Sequence, residues 1–181
     1  MSVGEAIELT TIDGIGIALP APDRLTHVQF RRFAGCPVCD LHLQSFVRRR
    51  VEIEQAGLRE VVLFHSSAAD LRVHASDLPF LVVADPDQRL YARFGVEAGT
   101  RALSDPRVWP HILRGVLRSL RLVIIGRQAM PPIVPEGGSF GLPADFLIGT
   151  DGILLACNYG EHAYDQWSVD DVLELAAKNR G

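Results

Sequence analysis

An apolar run from Leu25 to Phe33 ends at Gly35, and the next four residues are Cys36-Pro37-Val38-Cys39. That junction constrains the chain more than any other feature. It calls for a strand, a break, and a helix that opens at the first cysteine. Proline suits the first helical position, where its missing N–H costs nothing. A helix N-terminus presents unpaired amide N–H groups and the positive end of the macrodipole. Both favour a thiolate over a thiol, and the thiolate is the form that attacks disulfides and peroxides. The spacing suggests a redox dithiol.

The bland alternatives for this pair are a structural thiol pair and half of a zinc site. Zinc needs about four ligands. His42 lies three residues beyond Cys39, Cys157 is far away in sequence, and no second Cys-x-x-Cys exists. A c-type haem attachment is excluded because Asp40, not histidine, follows Cys39. Three cysteines in 181 residues are too few for a secreted disulfide framework. A chain of this length buries enough surface to fold without staples. With 18 basic and 22 acidic residues the net charge is −4, which argues against general nucleic-acid binding.

The N-terminal Met1–Glu5 segment lacks the basic-then-apolar pattern of a secretory signal. The most apolar long segment, Trp109 to Ile125, carries Arg114, Arg118 and Arg121, which are costly in a bilayer. The expectation is a cytoplasmic protein with no membrane span. In a reducing compartment a lone Cys-x-x-Cys is more often catalytic or metal-binding than structural.

Hydrophobic spacing and turn residues predict the remaining elements. Asp13-Gly14 between Glu5–Thr11 and Ile15–Leu19 is a hairpin signal. Val38 to about Ala56 has helical spacing, with Val38, Leu41, Phe46, Val47 and Val51 as core positions and Gly57 as a stop. Glu60–His65 and Phe80–Ala84 read as buried strands, separated by a helix over Ser67–Ser76 that Ser67 and Asp70 cap. Arg89–Phe94 reads as a helix, and so does Val108 to Ile125. A Pro- and Gly-rich loop, Met130 to Gly138, follows. Asp145–Gly149 and Ile153–Tyr159 form a second hairpin, and Ser168–Asn179 a closing helix. Strands alternating with helices and ending in a hairpin imply an α/β fold with a mixed sheet.

This order, with Cys-x-x-Cys on the first long helix, resembles the thioredoxin fold. Gly141-Leu142-Pro143-Ala144-Asp145-Phe146-Leu147-Ile148 is similar to the segment in which a cis-proline precedes a strand and packs beside the dithiol. A closer resemblance is to the peroxiredoxin-like branch of the alkyl hydroperoxide reductase and thiol-specific antioxidant (AhpC/TSA) family. It is carried by Phe30-Arg31-Arg32-Phe33-Ala34-Gly35-Cys36-Pro37-Val38-Cys39, Val62-Leu63-Phe64-His65-Ser66, Ala84-Asp85-Pro86 and Pro143 to Ile148. The resemblance implies one thioredoxin-like domain over residues 1–181, with an N-terminal hairpin and a helical insertion at about 97–141 before the last hairpin. It implies reduction of a peroxide or disulfide at Cys36 and Cys39, no bound cofactor, and re-reduction by an external thiol system such as a thioredoxin-like protein. Pro143 is expected to be cis and, with Pro37 and Arg32, to support the dithiol.

Two departures from that family stand out. Its members place Thr or Ser three residues before the peroxidatic cysteine; here that position holds Cys36 or Phe33, depending on which cysteine is aligned. They also carry an arginine entering the strand that matches Phe146–Ile148, where this chain has Leu142 and Pro143. The thioredoxin analogy makes Cys36 the nucleophile, and the peroxiredoxin analogy makes it Cys39. Cys36 is the preferred nucleophile for exchange because the outer cysteine is easier for a partner to reach. Of Arg31 and Arg32, at most one faces the dithiol, since strand neighbours point to opposite faces. Cys157 is expected to be buried core filler, and His65, Ser66, His162 and Trp167 to be packing or surface groups. The helix from Val108 to Ile125 is expected to pack on the sheet, or on a second copy in a homodimer, with its arginines outward. A redox sensor and a non-catalytic zinc- or partner-binding module are the alternatives on the same fold.

Overall fold

A computed structural model describes residues 6–96, 109–125 and 142–179. The Pro/Gly-rich loop from Met130 to Gly138 and most of the expected insertion lie outside the described residues. The first hairpin pairs β1 (Ile7–Thr10) with β2 (Gly16–Leu19). The main sheet has five strands in the order β5-β4-β3-β6-β7. These are β3 (Leu25–Arg31), β4 (Leu58–Phe64), β5 (Leu81–Ala84), β6 (Ala144–Ile148) and β7 (Leu154–Tyr159). β3, β4 and β5 are parallel, and β6 and β7 run antiparallel. Parallel neighbours need crossovers. The helices α1 (Pro37–Arg48) and α2 (Arg50–Gln55) make the first, and α3 (Ala68–His74) makes the second. The mixed α/β sheet and the N-terminal hairpin agree with the sequence.

The predicted helix over 38–56 is two helices. At Arg49 the backbone turns to φ −108° and ψ 19°, and its guanidinium is held by Glu52 at 2.7 Å and Asp170 at 2.6 Å. The break resets the helical phase. Ile53 therefore turns inward, while Val51, expected in the core, is 58% exposed. The other helices are α4 (Arg89–Arg93), α5 (Trp109–Ile124) and α6 (Val169–Lys178). Ser67 caps α3 through the Asp70 amide, and Ser168 and Asp171 form a full capping box on α6.

Each sheet face has its own chemistry. Val28, Phe30, Val61, Leu63, Phe146 and Ile148 share an apolar face with Tyr91 of α4 and the hairpin. Phe30 meets Tyr91 edge-on at 4.8 Å and Phe146 at 5.5 Å. Each such buried side chain contributes roughly 1.5–3 kcal/mol. The opposite face packs Phe64 and Val62 against Leu43 of α1 and Leu71 of α3, and Leu147 against Phe46 and the α6 residues Val172 and Ala176.

Across the middle of that second face runs a polar row, His27, Gln29 and Arg31, all fully buried. Arg31 Nη2 donates to Asp145 Oδ1 at 2.7 Å and to Gln29 Oε1 at 2.6 Å. Gln29 Nε2 donates to Glu60 Oε2 at 2.6 Å. His27 stands between Glu60, 2.8 Å from Nδ1, and Asp145, 3.3 Å from Nε2. Two cations thus face two carboxylates contributed by the neighbouring strands. The His27 ring also stacks on Phe46 and Trp167.

Two expectations fail at the margins of the sheet. Cys157 is exposed rather than core filler, because β7 is an edge strand and its apolar run is only half covered. The helix α5 packs against α1 rather than the sheet. Its Arg118 turns in to Asp40 at 3.4 Å, while Leu113, Leu117, Leu120 and Ile124 are exposed. No helix among the described residues is long and apolar enough to cross a membrane.

The polar row makes stability depend on pH. Burial opposes charge on His27, but Glu60 and Asp145 outweigh it and raise the imidazole to about 9. A raised folded-state pKa gives stability that is complete below the unfolded value near 6.5 and lost as pH climbs through about 9. His42, pushed down to about 3 by burial and Arg31, acts in the other direction below 6.5. In a Cys36→Ser/Cys39→Ser background, free of the paired thiols, urea midpoints are expected to peak near pH 6.5 and fall towards pH 9. His27→Asn should flatten the alkaline limb. Asp145→Ala, which leaves Arg31 buried without its carboxylate, should cost about 3–5 kcal/mol by the same urea assay.

Candidate redox site at the start of α1

The site lies where β3 hands over to α1. Beyond Arg31 the chain leaves the sheet through Arg32–Gly35. This short loop is pinned from β4: Ser66 Oγ accepts the Ala34 amide at 2.9 Å, and the His65 amide donates to the Arg32 carbonyl at 3.3 Å. Ser66, expected to carry no chemistry, therefore anchors the loop. Gly35 takes φ 76°, and an added Cβ would stand 3.2 Å from the His74 ring, so both backbone and space call for glycine.

Cys36 is the N-cap of α1, with extended φ −61° and ψ 116°. Pro37 follows at the first helical position, as expected. The Asp40 amide donates to the Cys36 carbonyl at 2.9 Å and closes the first turn. Cys39 therefore sits one turn in, facing Cys36 on the same side of the helix. Both thiols are free, with Cys36 2% and Cys39 1% exposed. The outer cysteine is thus no more open than the inner one. Val38 packs beside the pair, and Phe33 and Tyr164 border it.

The environment separates the two sulfurs. Cys36 is lowered to about 6, first by the hydrogen bond from the Cys39 thiol and then, against desolvation, by Arg32 and the amides of Cys39 and Val38. Cys39 is pushed well above its ordinary value by that same hydrogen bond, by burial and by the Cys36 charge. The hydrogen bond between the sulfurs thus favours charge on Cys36 and the proton on Cys39. Arg32 Nη1 lies 4.0 Å from Cys36 Sγ and its guanidinium stacks on Phe33 at 5.4 Å. Arg31 points the other way, into the buried row, so only one of the two arginines faces the dithiol. His42 belongs to that row, with Nε2 3.5 Å from Arg31 Nη2. Among the described residues no group of three or more His, Cys, Asp or Glu is arranged to hold a metal ion.

Pro143 does not reach this pair in the way expected. Register places it level with Arg31, one residue beyond the Phe30–Ala144 pairing, at the sheet end from which α1 starts. It lines a separate cavity of about 320 Å³ with Gly95, Val96, Leu142, Tyr159 and Gly160. Among the described residues the cis peptide bond is Leu19–Pro20, and Leu142–Pro143 is not cis. That segment is held instead by the Gly160 amide, which donates to the Pro143 carbonyl at 2.9 Å.

Sequence reasoning missed His74. It comes from α3 and lines, with Gly35, Cys36, Cys39 and Asp40, a cavity of about 20 Å³ beside the sulfurs. No motif marks it. The only hint was Gly35, whose lack of a side chain admits the ring. It also missed Tyr91, whose hydroxyl reaches the carbonyls of Arg31 and Leu63 under the site.

No protein-family model matches the chain, and no curated protein is significantly similar to it. Solved structures are similar in fold. Peroxidoxin BcpB from Mycobacterium tuberculosis superposes with a TM-score of 0.65 at 17% identity, covering 100% of this chain and 99% of that one. Peroxiredoxin Q from Xanthomonas campestris gives 0.64 at 15%, covering 96% and 90%. A protein assigned as the thiol:disulfide interchange protein DsbE from Chlorobium tepidum gives 0.57 at 14%, covering 96% and 92%. At such identities the likeness speaks for the fold alone. The chain has a thioredoxin-like fold of the kind seen in peroxiredoxins.

Titrating the ultraviolet absorbance of the thiolate should show one group ionising near pH 6 in the parent protein. Arg32→Met should raise that midpoint, and Cys39→Ser, which replaces the thiol donor, should also shift it. A midpoint unmoved by either change would separate Cys36 from both supports.

Proposed function

We propose that the chain is a thiol-dependent oxidoreductase that works through the Cys36/Cys39 dithiol, in one thioredoxin-like domain. The observation that carries this reading is the placement of the two sulfurs: Cys36 at the N-cap of α1 with Arg32 Nη1 4.0 Å from its Sγ, and Cys39 packed against it one turn in. A helix N-terminus and a nearby cation are the features that make a cysteine reactive. Pro37 starts the helix so that Cys36 is its cap. Arg32 supplies the cation. Pro143 lies at the same sheet end, level with Arg31, and lines a neighbouring cavity.

The favoured reaction is thiol–disulfide exchange. Cys36 attacks one sulfur of a substrate disulfide, one substrate thiolate leaves, and a mixed disulfide forms. Cys39 then attacks Cys36, the second substrate thiol leaves, and the Cys36–Cys39 disulfide remains. Two electrons pass from the dithiol to the substrate, and an external thiol system such as a thioredoxin-like protein returns them. No bound cofactor enters this scheme. The sequence favours exchange over peroxide reduction: three residues before either cysteine stands Phe33 or Cys36, not the hydroxyl residue that peroxiredoxins use, and Leu142-Pro143 stand where they carry an arginine. The likeness to peroxiredoxin structures keeps a peroxide substrate as the second reading. The cytoplasm, the compartment where a reduced dithiol persists, is the location this chemistry fits.

Cys39→Ser should trap covalent adducts with disulfide substrates that a reductant dissolves, and Cys36→Ser should trap none. Mass spectrometry of the adducts reads the result. The reverse pattern would assign the attack to Cys39. Turnover with peroxide and a thiol reductant that exceeds turnover with disulfides would move the assignment to a peroxidase.

A further inference from the structure

The resolving step sets a chemical demand that Cys36 does not meet. Cys39 must lose its proton before its sulfur can attack; with Cys36 bonded to the substrate sulfur no neighbouring thiolate is left to accept that proton, while burial still opposes the Cys39 thiolate. A base is needed within hydrogen-bond reach or one water away. Most polar groups near the sulfurs are already committed. Arg32 is a cation. Asp40 is paired with Arg118 at 3.4 Å and accepts from Gln44 at 3.4 Å. The Tyr91 hydroxyl is directed at two backbone carbonyls.

His74 is different. Its Nδ1 is buried and has no hydrogen-bond partner among the described residues. The ring leans on Gly35, the residue before Cys36, and Nδ1 is the ring atom nearest to where a Cβ would stand. His74 and both cysteines line the same cavity, whose volume of about 20 Å³ admits a single water molecule. Such a water would find polar partners in the imidazole and the thiols. Burial, opposed by Asp70, lowers the imidazole below its ordinary value, which favours the neutral ring that can accept a proton.

We propose that His74 takes the Cys39 proton, through one water in this cavity, as Cys39 resolves the mixed disulfide on Cys36. The inference rests on the exchange reading above. In the step, the Cys39 S–H bond breaks and its proton passes by way of the water to His74 Nδ1. The Cys39–Cys36 bond forms as the bond between Cys36 and the substrate sulfur breaks. The departing thiolate then takes the proton back from the imidazolium. The electron pair comes from Cys39, and no other reductant is required.

Ellman's reagent separates the two steps, because attack by Cys36 releases one nitrothiobenzoate and resolution by Cys39 releases the second. The experiment uses the full chain carrying Cys157→Ser, since Cys157 is exposed and would react on its own. His74→Asn, which keeps an amide nitrogen near Nδ1, should leave the first phase within about twofold and slow the second at least about tenfold. His74→Ala should behave alike, with added imidazole restoring the second phase. A second phase unchanged in both variants, or both phases slowed by one common factor, overturns the proposal. Should these variants lose stability, the parent still decides. A solvent deuterium isotope effect confined to the second phase supports the relay, and none on that phase overturns it. Cys39→Ser serves as the control for the underlying reading: it should release one equivalent only, and loss of the first phase there would refute the dithiol assignment whatever His74 does.

Discussion

The buried ion pair between Arg31 and Asp145 is the contact on which the arrangement depends. It ties β3 to β6 at 2.7 Å, while the second Asp145 oxygen accepts the Trp167 amide at 3.2 Å in the lead to α6. Taking both charges out of water costs several kcal/mol per ion, and only good geometry with further hydrogen bonds offsets that. Gln29, Glu60 and His27 supply those bonds, and the four charged groups balance. The row also fixes register. A slip of one residue in β3 would turn His27, Gln29 and Arg31 into the apolar face and place Val28 and Phe30 under α1.

Fixing β3 fixes the dithiol. Arg31 ends the strand inside the row, and strand alternation therefore turns Arg32 the other way, towards Cys36. The pinned loop then delivers Cys36 as the cap of α1. Each sulfur takes its character from this geometry: the outer one from the helix amides and Arg32, the inner one from its hydrogen bond to the outer. The helix α5 lies over the same helix through Arg118 and Asp40, next to Cys39. Both thiols are nearly closed off from solvent, with Phe33 and Tyr164 packed beside them.

Much of this was legible in the sequence, because local signals marked it. Asp-Gly turns, capping serines and the period-two and helical patterns located the elements to within a residue or two. Cys36-Pro37 marked the start of α1. What was hidden depended on contacts distant in sequence. His27, Gln29 and Arg31 alternate as one strand face, but their carboxylates come from residues 60 and 145, so the row reads as solvated polarity until the strands are paired. Val51 was misplaced because a break at Arg49, held by Asp170 across the fold, shifted the helical phase. Cys157 looked buried because its run is apolar, yet an edge strand leaves such residues uncovered. The Leu142–Pro143 bond shows that a familiar segment can be matched in sequence without sharing its backbone isomer. His74 carried no signal of its own, since only the fold sets it against Gly35.

In the proposed exchange Cys36 is the sulfur that reacts first. The most direct measurement is to treat the reduced protein with less than one equivalent of an aromatic disulfide, quench in acid, and map the first adduct by peptide mass spectrometry. The adduct is expected on Cys36, with Cys39 unmodified until the intramolecular disulfide forms. A first adduct on Cys39 would contradict it.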